Sequence, residues 1–174
     1  MKLSTAILLI LLAIIAGFVW FRTRGRSQKR EFRTTDEFVQ WLAGQAVQDA
    51  RRENNTNLDY SVDSIKTVEQ ILGKAYDQYA KNPSSVSPDG LASAYGAYVG
   101  EVIRKNKQGA KWERDDSHFG ARSYPLICGT TRAYPMAWCF KRITNGPEDD
   151  VWSKFELFVF REELLRKAQT PKAP

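Results

Sequence analysis

The chain has 174 residues and a formal net charge of +6, which leaves room for one modest domain beside a short N-terminal segment. Six basic residues and no acids lie in the first 30 positions, so residues 31–174 carry no net charge. This neutrality argues against a nucleic-acid reader, which carries its positive charge on a folded face. We therefore expect no nucleic-acid partner.

The N-terminus begins with an apolar run of nineteen uncharged residues, from Leu3 to Phe21. An α-helix needs about this length to cross the hydrocarbon core of a bilayer. Aromatic residues end the run and cations follow at once, as is typical of a membrane interface. Bulky residues also occupy the place where a signal peptidase requires small ones, which argues against a cleaved signal. We predict a single-pass anchor that contacts membrane lipid, with its key residues at Leu3, Trp20, Phe21, Arg22, Arg24 and Arg26.

The charges that flank this run also predict its orientation. One lysine precedes the run and five cations follow it within nine positions. The positive-inside rule then places the rest of the chain in the cytoplasm, tethered to the inner membrane of a bacterial cell. An export signal with the domain on the periplasmic side remains the alternative. The predicted layout is an anchor over 1–21, a basic juxtamembrane linker over 22–33, a soluble domain over 34–168 and a flexible tail over 169–174.

The first half of the domain shows the periodicity of amphipathic helices. Thr34 and Glu37 have the spacing of a capping box, and apolar residues follow at four-residue intervals. Proline at a first helical position and a turn-rich Asn-Pro pair mark further boundaries. The predicted helices run from Thr34 to about Glu53, from Ser61 to Asn82, and from Pro88 to about Asn106.

From Ala110 onward the apolar pattern alternates, as it does in strands. The candidate strands cover 110–114, 124–128 and 131–134, with a turn at Gly129 and Thr130; residues 136–143 are read as helical or irregular. A final helix is predicted from Val151, and a strand over 155–160 is its alternative. Together these elements predict an α+β fold, with helices packed on a small antiparallel sheet of about three strands.

The two cysteines and one histidine carry little metal-binding potential. Cys128 and Cys139 lie among apolar residues, where a free cysteine behaves as a small core residue. They could pair in an oxidising compartment and would stay reduced in the cytoplasm. Together with His118 they are too few for a zinc site. We expect no metal and no cofactor.

Two motifs resemble a family of small bacterial α+β domains of unknown function. The first is the GxYxGE pattern from Gly96 to Glu101, and the second is the KRxxNGPxDD pattern from Lys141 to Asp150. The stretch from Leu58 to Ser61 also fits, so the resemblance covers roughly residues 58–158. These domains look like relatives of proteins encoded among toxin-immunity and secretion loci. The resemblance implies an immunity-like interaction domain and carries over no common activity.

Several polar side chains are candidates for chemistry or binding. Glu101 lies at the margin of a predicted buried face, where a carboxylate can act as a general base. The more ordinary expectation is a structural ion pair with Lys141 or Arg142. Asp115, Asp116 and His118 form a polar loop in which adjacent acids are usually solvated. The catalytic candidates are Glu101, Asp116 and His118, and the binding candidates are Glu101, Trp112, Lys141, Arg142 and Asn145.

Two classes of function follow from these residues. The first is a membrane-tethered protein-interaction domain, with an immunity or regulatory role, that binds an unknown protein partner through the face left free by the sheet and third helix. The alternative is a small hydrolase-like enzyme that uses Glu101 as general base together with the loop at 115–118. Replacing Glu101 with glutamine separates them, because only catalysis requires the carboxylate.

Overall fold

The computed structural model describes residues 31–116, 120–121 and 123–169, with no side chains described over 162–169. The predicted anchor over 1–21, the linker up to residue 30, His118 and the end of the tail lie outside the described residues. Within the described part, no helix is both long enough and apolar enough to cross a membrane. The described residues from Arg33 onward form one compact unit.

The described elements form an α+β fold, as predicted. Five α-helices and three short strands are joined by two 3₁₀ turns at Pro83–Ser85 and Pro147–Asp149. The helices are α1 (Thr35–Asn54), α2 (Ser64–Lys81), α3 (Pro88–Asn106), α4 (Pro135–Thr144) and α5 (Val151–Gln169). The strands are β1 (Lys111–Trp112), β2 (Leu126–Cys128) and β3 (Thr131–Ala133).

The predicted N-cap of α1 at Thr34 is confirmed, but the Glu37 side chain bonds to Arg33 and not to Thr34, as a capping box would require. The Thr34 hydroxyl accepts the Glu37 N–H at 3.1 Å, which satisfies one of the free donors at the helix start. The Glu37 carboxylate accepts the N–H of Arg33 at 2.9 Å, one residue before the cap. The helix ends where Asn55 turns into the left-handed region, with φ 48°.

The predicted start of α2 at Ser61 is wrong by three residues. The Ser61 hydroxyl accepts the N–H of Ser64 at 3.2 Å, while the Ser64 hydroxyl donates to the Ser61 carbonyl at 2.6 Å. These bonds hold residues 61–63 in a turn, because short polar side chains compete for the backbone groups that a helix would use. The helix then continues to Lys81, as the Asn-Pro pair predicts.

Helix α3 is the centre of the fold, and all its faces are covered between Ala94 and Ile103. It packs against α1 on one side and against α4 on the other. A side chain at Gly96 would lie only 2.3 Å from the Met136 Cα, so α4 approaches the helix backbone directly. Between Ala94 and Ile103, α3 therefore has no exposed face.

The sheet is antiparallel with the order β1-β2-β3. Trp112 pairs with Leu126, which in turn pairs with Ala133, so these three residues share the buried face. Lys111 and Arg132 are exposed beside them. The strands are shorter than predicted, and the turn at 129–130 is as expected.

The described residues from Pro135 onward are mostly helical. Residues 135–144 form α4, which resolves the earlier choice between helical and irregular structure. Residues 155–160 belong to α5, so the alternative of a strand there is wrong. Phe160 interrupts α5 with non-helical dihedral angles (φ −109°, ψ 15°) and kinks it.

Candidate functional site

Glu101 is a buried hydrogen-bond acceptor in the fold. One carboxylate oxygen accepts the indole N–H of Trp112 at 2.7 Å, and the other accepts the guanidinium of Arg104 at 2.8 Å. Arg104 also reaches Asp36 at 2.8 Å and so joins α3 to the first turn of α1. The expected ion pair of Glu101 with Lys141 or Arg142 is wrong, because a neighbour one helical turn away supplies the cation. With both oxygens bonded, Glu101 serves the fold as an acceptor.

The other residues of the GxYxGE pattern also have structural roles. Gly100 lies against Trp112, since a Cβ there would come within 2.1 Å of the indole ring. The Tyr98 hydroxyl accepts the N–H of Tyr60 at 2.7 Å and shares a 2.7 Å hydrogen bond with the Ser64 hydroxyl. The motif therefore specifies close packing and buried polar bonding around α3. Trp112, which we predicted as a binding residue, is buried within this packing.

Asp116 is buried, contrary to the expectation that the acids of this loop are solvated. Its carboxylate lies 3.3 Å from the guanidinium of Arg132, and its N–H donates to the Ser123 hydroxyl at 2.8 Å. Burial, and then the charge of Asp116 and a hydrogen bond to it, raise the pKa of Tyr134. Asp116 thus fastens the loop to the end of the sheet, while Asp115 next to it is exposed.

Arg142 forms a buried ion pair with Glu69 on α2. The second oxygen of Glu69 accepts the N–H of Val151 at 2.8 Å, so one carboxylate joins α2, α4 and the start of α5. Burial raises the pKa of Glu69, against the lowering effect of its bonds to Arg142 and to Val151. Arg142 is therefore committed to the interior. Lys141, which precedes Arg142 in the KRxxNGPxDD pattern, is exposed.

The rest of the KRxxNGPxDD pattern builds the connection from α4 to α5. The Asn145 amide donates to the Asp149 carboxylate at 2.7 Å, which closes the turn. Gly146 has φ 114° and lies beside the ring of Tyr76, where a Cβ would be 2.9 Å from the ring. Asp150 then accepts the N–H of Ser153 at the start of α5. Asn145, a predicted binding residue, is engaged within this connection.

Both cysteines are free thiols. Cys139 is fully buried, and burial strongly raises the pKa of its thiol. Cys128 is partly exposed on β2, where burial raises its pKa and the charge of Lys107 lowers it. Within the described residues, no three His, Cys, Asp or Glu side chains are grouped as metal ligands would be.

A groove of about 540 Å³ lies on the surface of this domain. We call it the basic groove, and with Thr131 it is lined by Lys107, Trp138, Lys154, Leu157, Phe158 and Arg161. Trp138 and Phe158 meet edge to face, with ring centroids 6.1 Å apart. Leu157 on α5 is 58% exposed. An apolar floor thus lies beneath three cations.

The cations of the basic groove differ in their bonding. Lys154 pairs with Asp149 and also donates to its carbonyl at 3.0 Å. The Lys107 ammonium lies 5.4 Å from the Phe158 ring centroid, within cation–π range. Among the described residues, neither Lys107 nor Arg161 forms an ion pair with a carboxylate. The groove therefore offers positive charge that the described carboxylates leave largely unneutralised.

A second, smaller cavity of about 270 Å³ lies between α1 and α3. The Tyr95 hydroxyl donates to the Asp49 carboxylate at 2.5 Å beside it. Burial, and then the bond to Asp49, raise the pKa of this tyrosine. The arrangement joins two helices through a polar bond, and its charged groups are mixed in sign.

The chain matches no family model, no curated protein and no solved structure in the three comparisons made. Its function must therefore be argued from its own residues.

Sequence reasoning missed the basic groove as a site. Its best signal was the i, i+3, i+4, i+7 spacing of Lys154, Leu157, Phe158 and Arg161, which puts two cations and two apolar residues on one helix face. The other half of the groove comes from Lys107 and Trp138, which are distant in sequence and could not be joined to it by spacing alone.

Proposed function

We propose that this chain is a membrane-tethered binding domain and not an enzyme. The basic groove is the observation that carries the proposal, because it combines an exposed apolar floor with two cations, Lys107 and Arg161, that have no carboxylate partner among the described residues. A ligand with an apolar body and a negative charge would satisfy both features. An immunity or regulatory role is the specific form that the motif resemblance suggests.

The bonding of the candidate acids argues against the hydrolase alternative. A general base must reach a substrate proton, and Glu101 is only 8% exposed with both oxygens bonded. Asp116 is likewise buried and paired with Arg132. Neither carboxylate lines either of the two cavities described above.

The membrane tether is proposed from the apolar run 3–21 and its basic flank. A topology fusion tests it: alkaline phosphatase joined after Ala173 should be inactive in a bacterial host, because the positive-inside rule keeps the domain in the cytoplasm. Strong phosphatase activity would contradict the orientation and favour the periplasmic alternative. Release of the fusion into the soluble fraction would contradict the anchor itself.

Site-specific photo-crosslinking tests the binding proposal. A benzophenone amino acid at Leu157 in the full chain should give a light-dependent adduct in native membranes. The adduct should disappear when Lys107 and Arg161 are changed to glutamate, since the groove would then repel an anionic ligand. The matched control is the same probe at Gln78, an exposed position on α2. Equal labelling at both positions, or labelling indifferent to the charge reversal, would refute the groove as a binding site.

The Glu101→Gln variant separates binding from catalysis. Glutamine keeps an oxygen acceptor for the Trp112 indole and loses the charge that pairs with Arg104. We expect the variant to remain folded and to keep the Leu157 adduct. A turnover activity of the wild-type chain that this variant abolishes while still folded would instead support the hydrolase alternative.

A further inference from the structure

The basic groove has the two chemical parts that an anionic amphiphile requires. Lys107 and Arg161 present cations without carboxylate partners among the described residues, and Lys154 uses only part of its donor capacity on Asp149. Trp138 and Phe158 lie beside them as an aromatic floor. Phosphate oxygens are strong acceptors for ammonium and guanidinium groups, and the apolar floor suits the attached hydrocarbon.

One residue of the groove, Lys107, lies near the end of the domain at which the linker joins. Asp36, in the first turn of α1, bonds to Arg104 in the last turn of α3 at 2.8 Å. Lys107 follows Arg104 by three residues and caps the C-terminus of α3. The linker over 22–33 has twelve residues, which can span at most about 40 Å when extended. A domain held on so short a linker stays within reach of the membrane surface.

The charge of the groove excludes one occupant from within the chain. The segment before residue 31 carries six cations and no acid, so the cationic rim of the groove would repel it. The membrane beside which the domain is tethered supplies the opposite charge, because its anionic lipids attract lysine and arginine near the surface.

We propose that the basic groove binds the headgroup of an anionic phospholipid from the membrane that anchors the chain; this rests on the proposed function. The phosphate accepts hydrogen bonds from Lys107 and Arg161, with the remaining donor of Lys154 beside them. The glycerol and the first part of an acyl chain lie on Trp138, Leu157 and Phe158. The bound lipid fixes the orientation of the domain on the membrane, which a flexible linker alone does not.

The test uses Cys128 as a reporter in the full chain reconstituted in nanodiscs. Cys128 is partly exposed and lies close enough to Lys107 for its charge to act on the thiol, while Cys139 is fully buried. The rate of alkylation by an uncharged maleimide is measured in phosphatidylcholine and at rising fractions of phosphatidylglycerol. A bound headgroup covers the thiol and raises its pKa, so the reaction should slow as phosphatidylglycerol rises.

Charge variants assign this slowing to the groove. In Lys107→Ala with Arg161→Ala, loss of two surface cations should weaken lipid binding roughly thirtyfold, which corresponds to about 2 kcal/mol. The slowing should then vanish over the accessible range of phosphatidylglycerol. The control, Lys74→Ala with Lys81→Ala, removes the same charge from exposed positions on α2 and should keep the slowing. All variants keep the linker cations, so a general effect of the anionic surface is common to them.

The outcomes separate this inference from the proposed function. Equal slowing in the groove variant and the control, or no slowing in the wild-type chain, would overturn the lipid assignment. If the Leu157 adduct nevertheless persists, contains protein and depends on Lys107 and Arg161, the groove is a binding site and its occupant is a protein. If that adduct is also absent, the proposed binding function fails with it.

Discussion

Replacing Gly100 with alanine should destabilise the domain, although alanine is the better helix former. In α3 the missing side chain of Gly100 leaves room for the indole of Trp112. A Cβ at this position would lie 2.1 Å from Cζ2 and 2.2 Å from Cη2 of the ring, far inside the roughly 3.5–4.0 Å of normal carbon contact. The ring must therefore move by more than about 1 Å.

The indole cannot move that far without losing its hydrogen bond to Glu101, which is 2.7 Å long. Overpacking of a filled core costs about 1–3 kcal/mol. Loss of a hydrogen bond to a charged group costs about 1.5–3 kcal/mol. The helix propensity of alanine returns about 1 kcal/mol. We expect Gly100→Ala to lower the free energy of unfolding by about 2–4 kcal/mol, weighing these contributions.

Thermal unfolding of the full chain in mild detergent, followed by near-UV circular dichroism, measures this effect. At about 4 °C per kcal/mol for a domain of this size, the Tm should fall by roughly 8–16 °C. Gly44→Ala is the matched control, because a Cβ on this α1 glycine meets no atom within 4 Å. Alanine there should raise the stability by up to about 1 kcal/mol. If Gly100→Ala raised the Tm as Gly44→Ala does, the close approach of the indole would be refuted.

A double-mutant cycle sharpens the assignment to a pair of residues. Trp112→Phe removes both ring atoms that clash with an alanine at position 100, and it also removes the N–H that donates to Glu101. The two substitutions together should therefore cost less than the sum of the single ones, by a coupling of about 1–3 kcal/mol. Additive costs would show that the clash is relieved elsewhere in the core.

Four further predictions concern polar groups and thiols. Tyr98→Phe should cost about 1–3 kcal/mol in unfolding experiments, because both partners of its hydroxyl lose a bond in the interior; an unchanged Tm would contradict this. The pKa of Glu69 is raised above 4.5, so its contribution to stability is complete below pH 4.5 and is lost as the pH rises through the higher folded value; Glu69→Gln should lack this dependence. The pKa of Asp149 is lowered, chiefly by Lys154, so its contribution has the opposite sign: it is present above pH 3.8 and is lost on acidification, a loss that Asp149→Asn should abolish. Maleimide should modify Cys128 in the folded chain and Cys139 only after denaturation, and mass spectrometry of the two peptides would reveal any early reaction at Cys139.

The helix boundaries that sequence predicted well are those set by local chemistry. Thr34 caps α1 through a bond to a residue three positions away, and proline opens α3 where its missing N–H has no cost. The boundary at Ser61 failed for an equally local reason. Its hydroxyl can cap a helix or close a turn, and spacing does not distinguish the two uses.

The roles of charged residues were harder to predict, because their partners are distant in sequence. Arg142 was expected to pair with Glu101 or to bind a ligand, and its partner is instead Glu69, 73 residues earlier in the chain. Glu101 is a structural acceptor, as expected. Its partners are Trp112 and Arg104, whereas we had predicted Lys141 or Arg142. A residue's type predicts that it needs a partner, and only the packing of helices decides which one it meets.

The neutrality of the domain bears on how such a groove could work. Residues 31–174 carry no net charge, so the cations around Lys107 and Arg161 are balanced by acids elsewhere on the same unit. A neutral body feels little long-range attraction to an anionic surface, because screening limits the reach of a local patch to about 8–10 Å in physiological salt. The groove can then select a ligand only at short range. In this scheme the anchor brings the groove to its ligand, the linker limits the distance, and the three cations supply the selectivity for charge. The anchor and the groove would thus act together in recognition, and loss of either one should abolish binding of the ligand.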